Sequence, residues 1–362
     1  MKVEEVEVFP LRIPFPQPIA SSLGTYTSVD LVGVEVRTAS SLVGTGLTLT
    51  LGGDAGPAIA RYIADELVPL VLGEEGDRVE RLWEKLYAPN KSRIRKGLGT
   101  YALSALDIAF WDLLAQGAGK PLHRLLGGYR DHAPLYGSGG WHTLSEAELV
   151  AEAQAFAEQG IRAYKFKVGT PRDRERVAAL RRELGDGFAL MADANQKWNV
   201  REAIEASRML ADYGVAWLEE PVLADAPSDL AAVAAESAVP IAAGENAHTR
   251  FGFRDLVERR AAHILQPDAC RVGGITEWAK VAHMASAWNL TLSSHLLYEL
   301  HAPLVAAFSC AAHAEYMVWF PEDLFTRPFP VRDGRVEVSD EPGTGLRFRR
   351  EAKRKYLRGE PP

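Results

Sequence analysis

Ala163-Tyr164-Lys165-Phe166-Lys167-Val168-Gly169 is a short β-rich run carrying two lysines two positions apart. Counting on from Lys167 gives Asp193, Glu219 and Glu245, each 26 residues after the last (193−167, 219−193, 245−219). Each of these acids closes an apolar, strand-like run: Phe188 to Asp193, Ala216 to Glu219 and Pro240 to Glu245. One strand, a loop, a helix and a return loop take about that length, so the four residues hold equivalent places on successive parallel strands.

The same rhythm extends both ways. Ala133-Pro134-Leu135-Tyr136 reads as a strand before it, and His263 to Pro267, Leu290 to His295 and Glu315 to Trp319 read as strands after it. Helical stretches fill most of the gaps. Ser145 with Glu148 forms a capping box for a helix that stops at Gly160, and Thr170-Pro171 is expected to cap the next one. About eight such steps imply a closed parallel barrel rather than an open sheet.

The flanks differ. The first ~50 residues read as strands, with Ala39-Ser40-Ser41 and Gly44 marking a hairpin. The polar segment Ala20 to Thr27 reads as a surface loop, and Ala55 to Leu126 reads as helical. After Pro321, Pro328 and Pro330, a hairpin turn at Asp333-Gly334 opens a tail too short for a sheet of its own, which is expected to rejoin the N-terminal part.

The chain has 362 residues, 41 Lys and Arg against 48 Asp and Glu, a formal charge of −7 and 47% hydrophobic residues. That is room for about two domains and a large core. Two cysteines, Cys270 and Cys310, make no CxxC pair, so a reducing cytoplasm is expected. The only dense basic stretch is Lys91, Arg93, Arg95 and Lys96, too short for nucleic acid. No apolar run is expected to approach the ~20 residues of a membrane span, and Met1-Lys2-Val3-Glu4-Glu5 is not expected to open a signal peptide. Neither a nucleic acid nor a membrane is expected as a partner.

In a barrel, strand ends converge on one rim. Asp193, Glu219 and Glu245 are then three carboxylates at one spot, a costly arrangement unless a cation neutralises them. All-oxygen ligands favour a hard ion, and Mg²⁺ suits a few carboxylates plus substrate oxygens. Lys165 and Lys167 point inward beside them, because residues two apart share a strand face. A second cation and a metal nearby favour the neutral form of one lysine, a usable base. Gln266-Pro267-Asp268 and Ser293-Ser294-His295 end the sixth and seventh strands, where Asp268 would fix the tautomer of His295. Glu315 ends the eighth. Such a rim can remove a proton next to a carboxylate and stabilise the enediolate that forms.

These motifs resemble the mandelate racemase subgroup of the enolase superfamily over nearly the whole chain. The resemblance runs from the helix Ala102 to Asp112 and Leu125-Leu126-Gly127, through Lys165-Phe166-Lys167-Val168-Gly169, Asp193-Ala194-Asn195-Gln196 and Trp217-Leu218-Glu219-Glu220-Pro221. It continues in Gly244-Glu245-Asn246, Gln266-Pro267-Asp268, Gly273-Gly274-Ile275 and Ser294-His295. It implies an α/β fold, a (β/α)7β TIM-like barrel with an α+β capping domain. The chain would divide into an N-terminal capping domain (1–127), the barrel (128–320) and a C-terminal tail returning to the capping domain (321–362). It implies Asp193, Glu219 and Glu245 as Mg²⁺ ligands, with Glu219 rather than Glu220 facing inward. Lys167 is implied as one base, Lys165 as its electrostatic partner, and His295 with Asp268 as the opposite base. Glu315 would hydrogen-bond the substrate carboxylate, Ser138 and Asn195 would lie near the substrate, and the assembly would be a homo-oligomer, from dimer to octamer.

The same machinery serves dehydratases and racemases. Tyr136-Gly137-Ser138-Gly139-Gly140-Trp141 and Asp193 to Trp198 look most like galactarate- and talarate-type acid-sugar dehydratases. The covering loops, about Pro14–Asp30 and Leu47–Gly56, carry Ser21, Ser22, Thr25, Tyr26, Thr27, Thr48 and Thr50 where an aryl acid would want an apolar lining. Dehydration of an aldarate or aldonate to a 2-keto-3-deoxy acid is therefore expected, with a racemase or epimerase as the alternative. Arg93, Arg95 and Lys96 could meet a distal carboxylate if their loop reached the pocket.

Overall fold

The structure, a computed structural model, describes residues 1–359. An antiparallel sheet in the order β1 (Val3–Ser21), β2 (Gly24–Thr38), β3 (Val43–Leu51) opens the chain. Side chains on the central strand β2 alternate between two cores. Val32, Val34 and Val36 pack under the helices, whereas Val29 and Leu31 join the core shared with the barrel. The helices are α1 (Ala55–Tyr62), α2 (Val68–Val71), α3 (Val79–Tyr87), α4 (Leu98–Gly117) and α5 (Leu122–Leu125). The long helix α4 is seated directly on β3, and a Cβ at Gly46 would stand 2.0 Å from the Ala105 carbonyl oxygen. By length and composition α4 could cross a membrane, contrary to the reading that no such run exists; it is instead the buried central helix of this layer.

The segment Ala20–Thr27 is not a loop. β1 and β2 continue to its tip in the register Ile19↔Tyr26, Ala20↔Thr25, Ser21↔Gly24, leaving Ser22 and Leu23 as the turn. Polar, β-prone residues satisfy one another's backbone here without needing a core beneath them. The tip lies on the barrel rim, where the His142 amide donates to the Ala20 carbonyl at 2.9 Å and the Ser22 hydroxyl to the Val168 carbonyl at 3.4 Å.

The barrel strands are β4 (His132–Ser138), β5 (Ala163–Lys167), β6 (Ala189–Asp193), β7 (Val215–Glu219), β8 (Ile241–Ala243), β9 (Ile264–Leu265), β10 (Thr291–Ser293) and β11 (Ala311–Tyr316). Each pairs in parallel with the next, and β11 closes on β4 through Glu315↔Tyr136. Helices α6 (Glu146–Glu158), α7 (Asp173–Leu184), α8 (Val200–Ala211), α9 (Pro227–Glu236), α10 (Thr249–Glu258), α11 (Ile275–Ala287) and α12 (Tyr298–Ala307) make the crossovers. This is the expected (β/α)7β barrel. The Ser145–Glu148 capping box is formed. The Thr170-Pro171 cap is not: α7 begins at Asp173, whose carboxylate accepts from the Gly169 amide at 2.7 Å and the Thr170 amide at 3.0 Å.

The tail divides its contacts. The hairpin β12 (Val331–Arg332) and β13 (Arg335–Glu337), turning at Asp333 and Gly334, adds to barrel strand β4. Farther on, Phe348 packs edge-on against Phe9 at 5.1 Å, and α13 (Arg350–Tyr356) leads to a bridge between Leu357 and Leu11 of β1. Asp112 of α4 binds the Thr45 amide at 2.8 Å, the Thr344 amide at 2.7 Å and the Arg347 guanidinium at 2.7 Å. The first layer is anchored to the barrel by Asp107, which accepts from the Thr276 amide at 2.9 Å and its hydroxyl at 2.6 Å.

Candidate active site

Lys167, Asp193 and Glu219 stand directly opposite one another across β5, β6 and β7. Equal spacing in sequence has become equal height on the barrel rim. Glu245 lies just beyond β8, after Gly244 at φ +137°, where a Cβ would press within 2.7 Å of the Phe253 ring and 2.9 Å of the Gln266 amide. All three acids are buried, and ligand oxygens from each lie within 4.8 Å of one another. Gln266 donates to Glu219 Oε2 at 2.7 Å, and the Asn195 amide donates to Asp193 Oδ1 at 2.9 Å, so both carboxylates are aimed. Glu220 is also buried, but a φ of +37° turns it off the strand to bind Gln196 and Asn246.

Two ammonium groups face this cluster. Lys165 Nζ is 2.6 Å from Glu219 Oε1 and 2.8 Å from Glu315 Oε1, and Lys167 Nζ is 2.5 Å from Asp193 Oδ2. Burial opposes charge on Lys165, but Glu219, Glu315, Tyr136 and Asp193 outweigh it and hold its pKa well above the ordinary value. It stays charged. Burial likewise opposes ionisation of Asp193, yet Lys167 and Lys165 keep it below the usual carboxylate range. Glu219 goes the other way: burial, with Asp193, Glu315 and Glu245 against the pull of Lys165, pushes it up to about 8. That excess of negative charge is what a divalent cation answers, and the hard oxygen donors fit Mg²⁺. Glu315 Oε2 accepts from the Leu296 amide at 2.6 Å, while Oε1 is paired with Lys165 by charge alone, outside hydrogen-bond alignment.

Across the cavity, His295 Nδ1 lies 2.9 Å from Asp268 Oδ2, and His295 Nε2 lies 3.2 Å from Glu245 Oε2. Asp268 Oδ1 accepts from the Cys270 amide at 2.8 Å. Burial resists its ionisation, but His295, His301 and Arg271 keep its pKa below the ordinary value. With Nδ1–H held by Asp268, the Nε2 atom is the one presented to the cavity.

That cavity, of about 230 Å³, is lined by Lys165, Lys167, Asn195, Glu245, His295 and Glu315. Asp193, Glu219 and Asp268 lie behind these. Ser138 is buried on β4, its hydroxyl has no hydrogen-bond partner, and it is not part of the lining. The hairpin tip and β3 bring Ser21, Leu23, Tyr26, Thr50 and Leu51 to the mouth, and Trp141, Met317 and Trp319 complete the wall. Sequence reading missed these tryptophans, and also Arg271, which sits three residues after Asp268. The Gln266–Asp268 run pointed at that loop without showing its arginine's direction. The idea that Arg93, Arg95 and Lys96 reach the pocket is overturned. They line a neighbouring cleft of about 800 Å³ that meets the cavity only at Asn246, where Arg93 pairs with Glu66 and Lys96 with Asp225.

Comparison with known proteins agrees with this geometry. Residues 4–127 match the family described as mandelate racemase/muconate lactonizing enzyme, N-terminal domain, and residues 148–352 match enolase C-terminal domain-like. The chain is 36% identical to the 3,6-anhydro-alpha-L-galactonate cycloisomerase of Streptomyces coelicolor, covering 95% of this chain and 96% of that protein. It is 35% identical to the L-talarate/galactarate dehydratase of Salmonella typhimurium, covering 91% and 83% respectively. A racemase from Streptomyces coelicolor, solved with bound magnesium, superposes with a TM-score of 0.95 at 35% identity over 98% of this chain and 99% of that one.

Proposed function

The chain belongs to the mandelate racemase/muconate lactonizing enzyme family of the enolase superfamily, and from that premise we propose that it is a Mg²⁺-dependent acid-sugar dehydratase. The observation that carries this reading is a lysine and a histidine–aspartate pair facing one cavity beside three clustered carboxylates. Hydroxyls at the mouth support a polyhydroxylated substrate, and Thr50 Oγ1 is buried without a protein partner.

Asp193, Glu219 and Glu245 would hold the ion. Bound there, Mg²⁺ supplies divalent charge opposite the substrate carboxylate. Lys165 adds a fixed positive charge on that carboxylate, and Glu315 orients it through a hydrogen bond. Lys167, as the free amine, takes the proton from the α-carbon, and the electron pair moves toward the carboxylate as an enediolate. His295, as the imidazolium held by Asp268, gives its proton to the β-hydroxyl. The C–O bond breaks, water leaves, and the enol becomes a 2-keto-3-deoxy acid. Asn195, above Asp193, binds a substrate hydroxyl, and Ser138 supports the wall beside it. In this reading the chain divides into a capping domain (1–127), the barrel (128–320) and a returning tail (321–362), and it works as a homo-oligomer in the cytoplasm.

The placement of Lys167 and His295 also favours a second reading, a racemase or epimerase, in which the proton returns to the other face and no C–O bond breaks. Opening of a bridging ether, as the name of the cycloisomerase relative describes, would use the same acid on an ether oxygen. A panel of acid sugars incubated with Mg²⁺ in deuterated water separates these outcomes. Keto-acid formation with release of water supports dehydration. Exchange of the α-proton without keto acid supports racemisation, and neither signal with any acid sugar refutes both.

A further inference from the structure

Given the reading of the site as a centre for proton abstraction beside a carboxylate, we infer that the substrate is a monocarboxylic sugar acid of the aldonate class and not a dicarboxylic aldarate. Charge and the lining of the mouth lead there together. Five carboxylates, Asp193, Glu219, Glu245, Asp268 and Glu315, stand at this rim against three cationic side chains. Lys165 is held between Glu219 and Glu315, and Lys167 is on Asp193. The third cation, Arg271, is buried with Nη1 3.4 Å from Glu245 Oε1 and Nε 3.5 Å from Asp268 Oδ2. Each of these three is thus ion-paired with an acid of the site, Arg271 only at 3.4–3.5 Å and with its Nε outside hydrogen-bond alignment. With a divalent ion held by the three clustered acids, a single substrate carboxylate would be received by the ion and Lys165.

A second carboxylate finds no such partner. The mouth of the cavity comes from the hairpin tip, the end of β3 and the residues after β11. There Leu23, Leu51, Met317 and Trp319 accompany the neutral hydroxyls of Ser21, Tyr26 and Thr50. Trp319 is packed by Phe15 at 5.2 Å and stacks on Trp141 at 6.1 Å, so its place in the wall is fixed. Lys197 runs beside Ser22 and Gly169 at the mouth, exposed and outside the lining. Hydroxyls of an aldonate tail, or the ring of an anhydro-aldonate, suit this wall of aromatic faces and hydroxyls; an unpaired charge does not.

Six-carbon aldonates and aldarates of matched configuration test this on the full Mg²⁺-loaded chain. The readouts are kcat/KM for keto-acid formation, α-proton exchange in deuterated water, and the Kd of each acid by calorimetry. The expected result is an aldonate preferred over its matched aldarate by ~100-fold or more in kcat/KM, with the same order in Kd. An aldarate equal to or better than its aldonate overturns the inference. Leu23→Arg, which puts a cation on the exposed tip facing the cavity, is expected to lower the aldonate-over-aldarate ratio of kcat/KM about tenfold. An unchanged ratio in that variant counts against it. If no acid sugar exchanges or reacts, the proposed function fails, and the Kd comparison still decides between one carboxylate and two.

Discussion

Replacing Asp268 by asparagine probes the pair on which the acid role proposed for His295 depends. Asp268 is buried, with Oδ2 2.9 Å from His295 Nδ1 and Oδ1 accepting from the Cys270 amide at 2.8 Å. An amide of the same shape keeps the Cys270 contact but presents no negative charge to the imidazolium. A hydrogen bond to a charged group contributes about 1.5–3 kcal/mol. At about 1.4 kcal/mol per factor of ten, Asp268→Asn should lower kcat by roughly 10- to 100-fold. Because Asp268 lies behind the cavity lining, KM should change little, so the loss falls on kcat. The assay is steady-state keto-acid formation, paired with thermal unfolding to confirm that the variant is folded and calorimetry to confirm that Mg²⁺ still binds. A folded, Mg²⁺-binding variant with an unchanged kcat would refute the role given to the pair. A loss confined to KM would refute it equally, because it would mean that Asp268 shapes the pocket rather than His295.

Lys167→Ala and His295→Asn should each abolish keto-acid formation while Mg²⁺ binding persists; normal dehydration by His295→Asn would show that another group supplies the acid. Chelation of Mg²⁺ should stop turnover and readdition should restore it. Since burial pushes Glu219 up to about 8, ion binding near neutral pH should expel a proton, and apparent Mg²⁺ affinity should weaken as pH falls below that value. Calorimetry in buffers of different ionisation enthalpy measures the proton, and finding none would contradict the clustered-carboxylate account. Glu299 at the start of α12 is raised from the ordinary glutamate value to about 8 by burial. A folded pKa above the unfolded one means that its contribution is full below pH ~4.5 and is lost as pH rises through about 8. Glu299→Gln should therefore flatten the fall of Tm between about pH 5 and 9, and an unaltered slope would disprove the assignment. Gly46→Ala should cost about 1–3 kcal/mol or more in denaturant unfolding, because its Cβ would meet the Ala105 carbonyl oxygen at 2.0 Å and the Ala109 amide at 2.7 Å.

Much of the barrel was legible because its signals are local. A strand of alternating faces, a capping box and a fixed repeat length each operate within a few residues, and the Lys167, Asp193, Glu219 ladder became a register without adjustment. The failures share a cause as well. Ala20–Thr27 has a loop's composition, but its partner strand and the barrel rim satisfy its backbone. Helix α4 has a membrane span's composition, but its surroundings are protein. Thr170 looked like the cap, and its hydroxyl does accept from the Arg172 amide at 3.3 Å, but the helix begins only at Asp173, whose carboxylate ties back to the Gly169 and Thr170 amides. Arg93 and Lys96 looked available to a substrate, but acids distant in sequence, Glu66 and Asp225, hold them.

From sequence alone came the order of strands, the three acids on one rim, the two lysines and the histidine–aspartate pair, since chain periodicity determines which side chains share a face. Tertiary structure decided what those groups are free to do. Ser22 meets Val168 across 146 residues, and Arg271 lies between Glu245 and Asp268, 26 and 3 residues away. Such pairings depend on through-space distance and on the loss of water around each charge, and neither is encoded in local spacing. They set the hairpin tip at the mouth of the cavity and pair its cations with the acids of the rim.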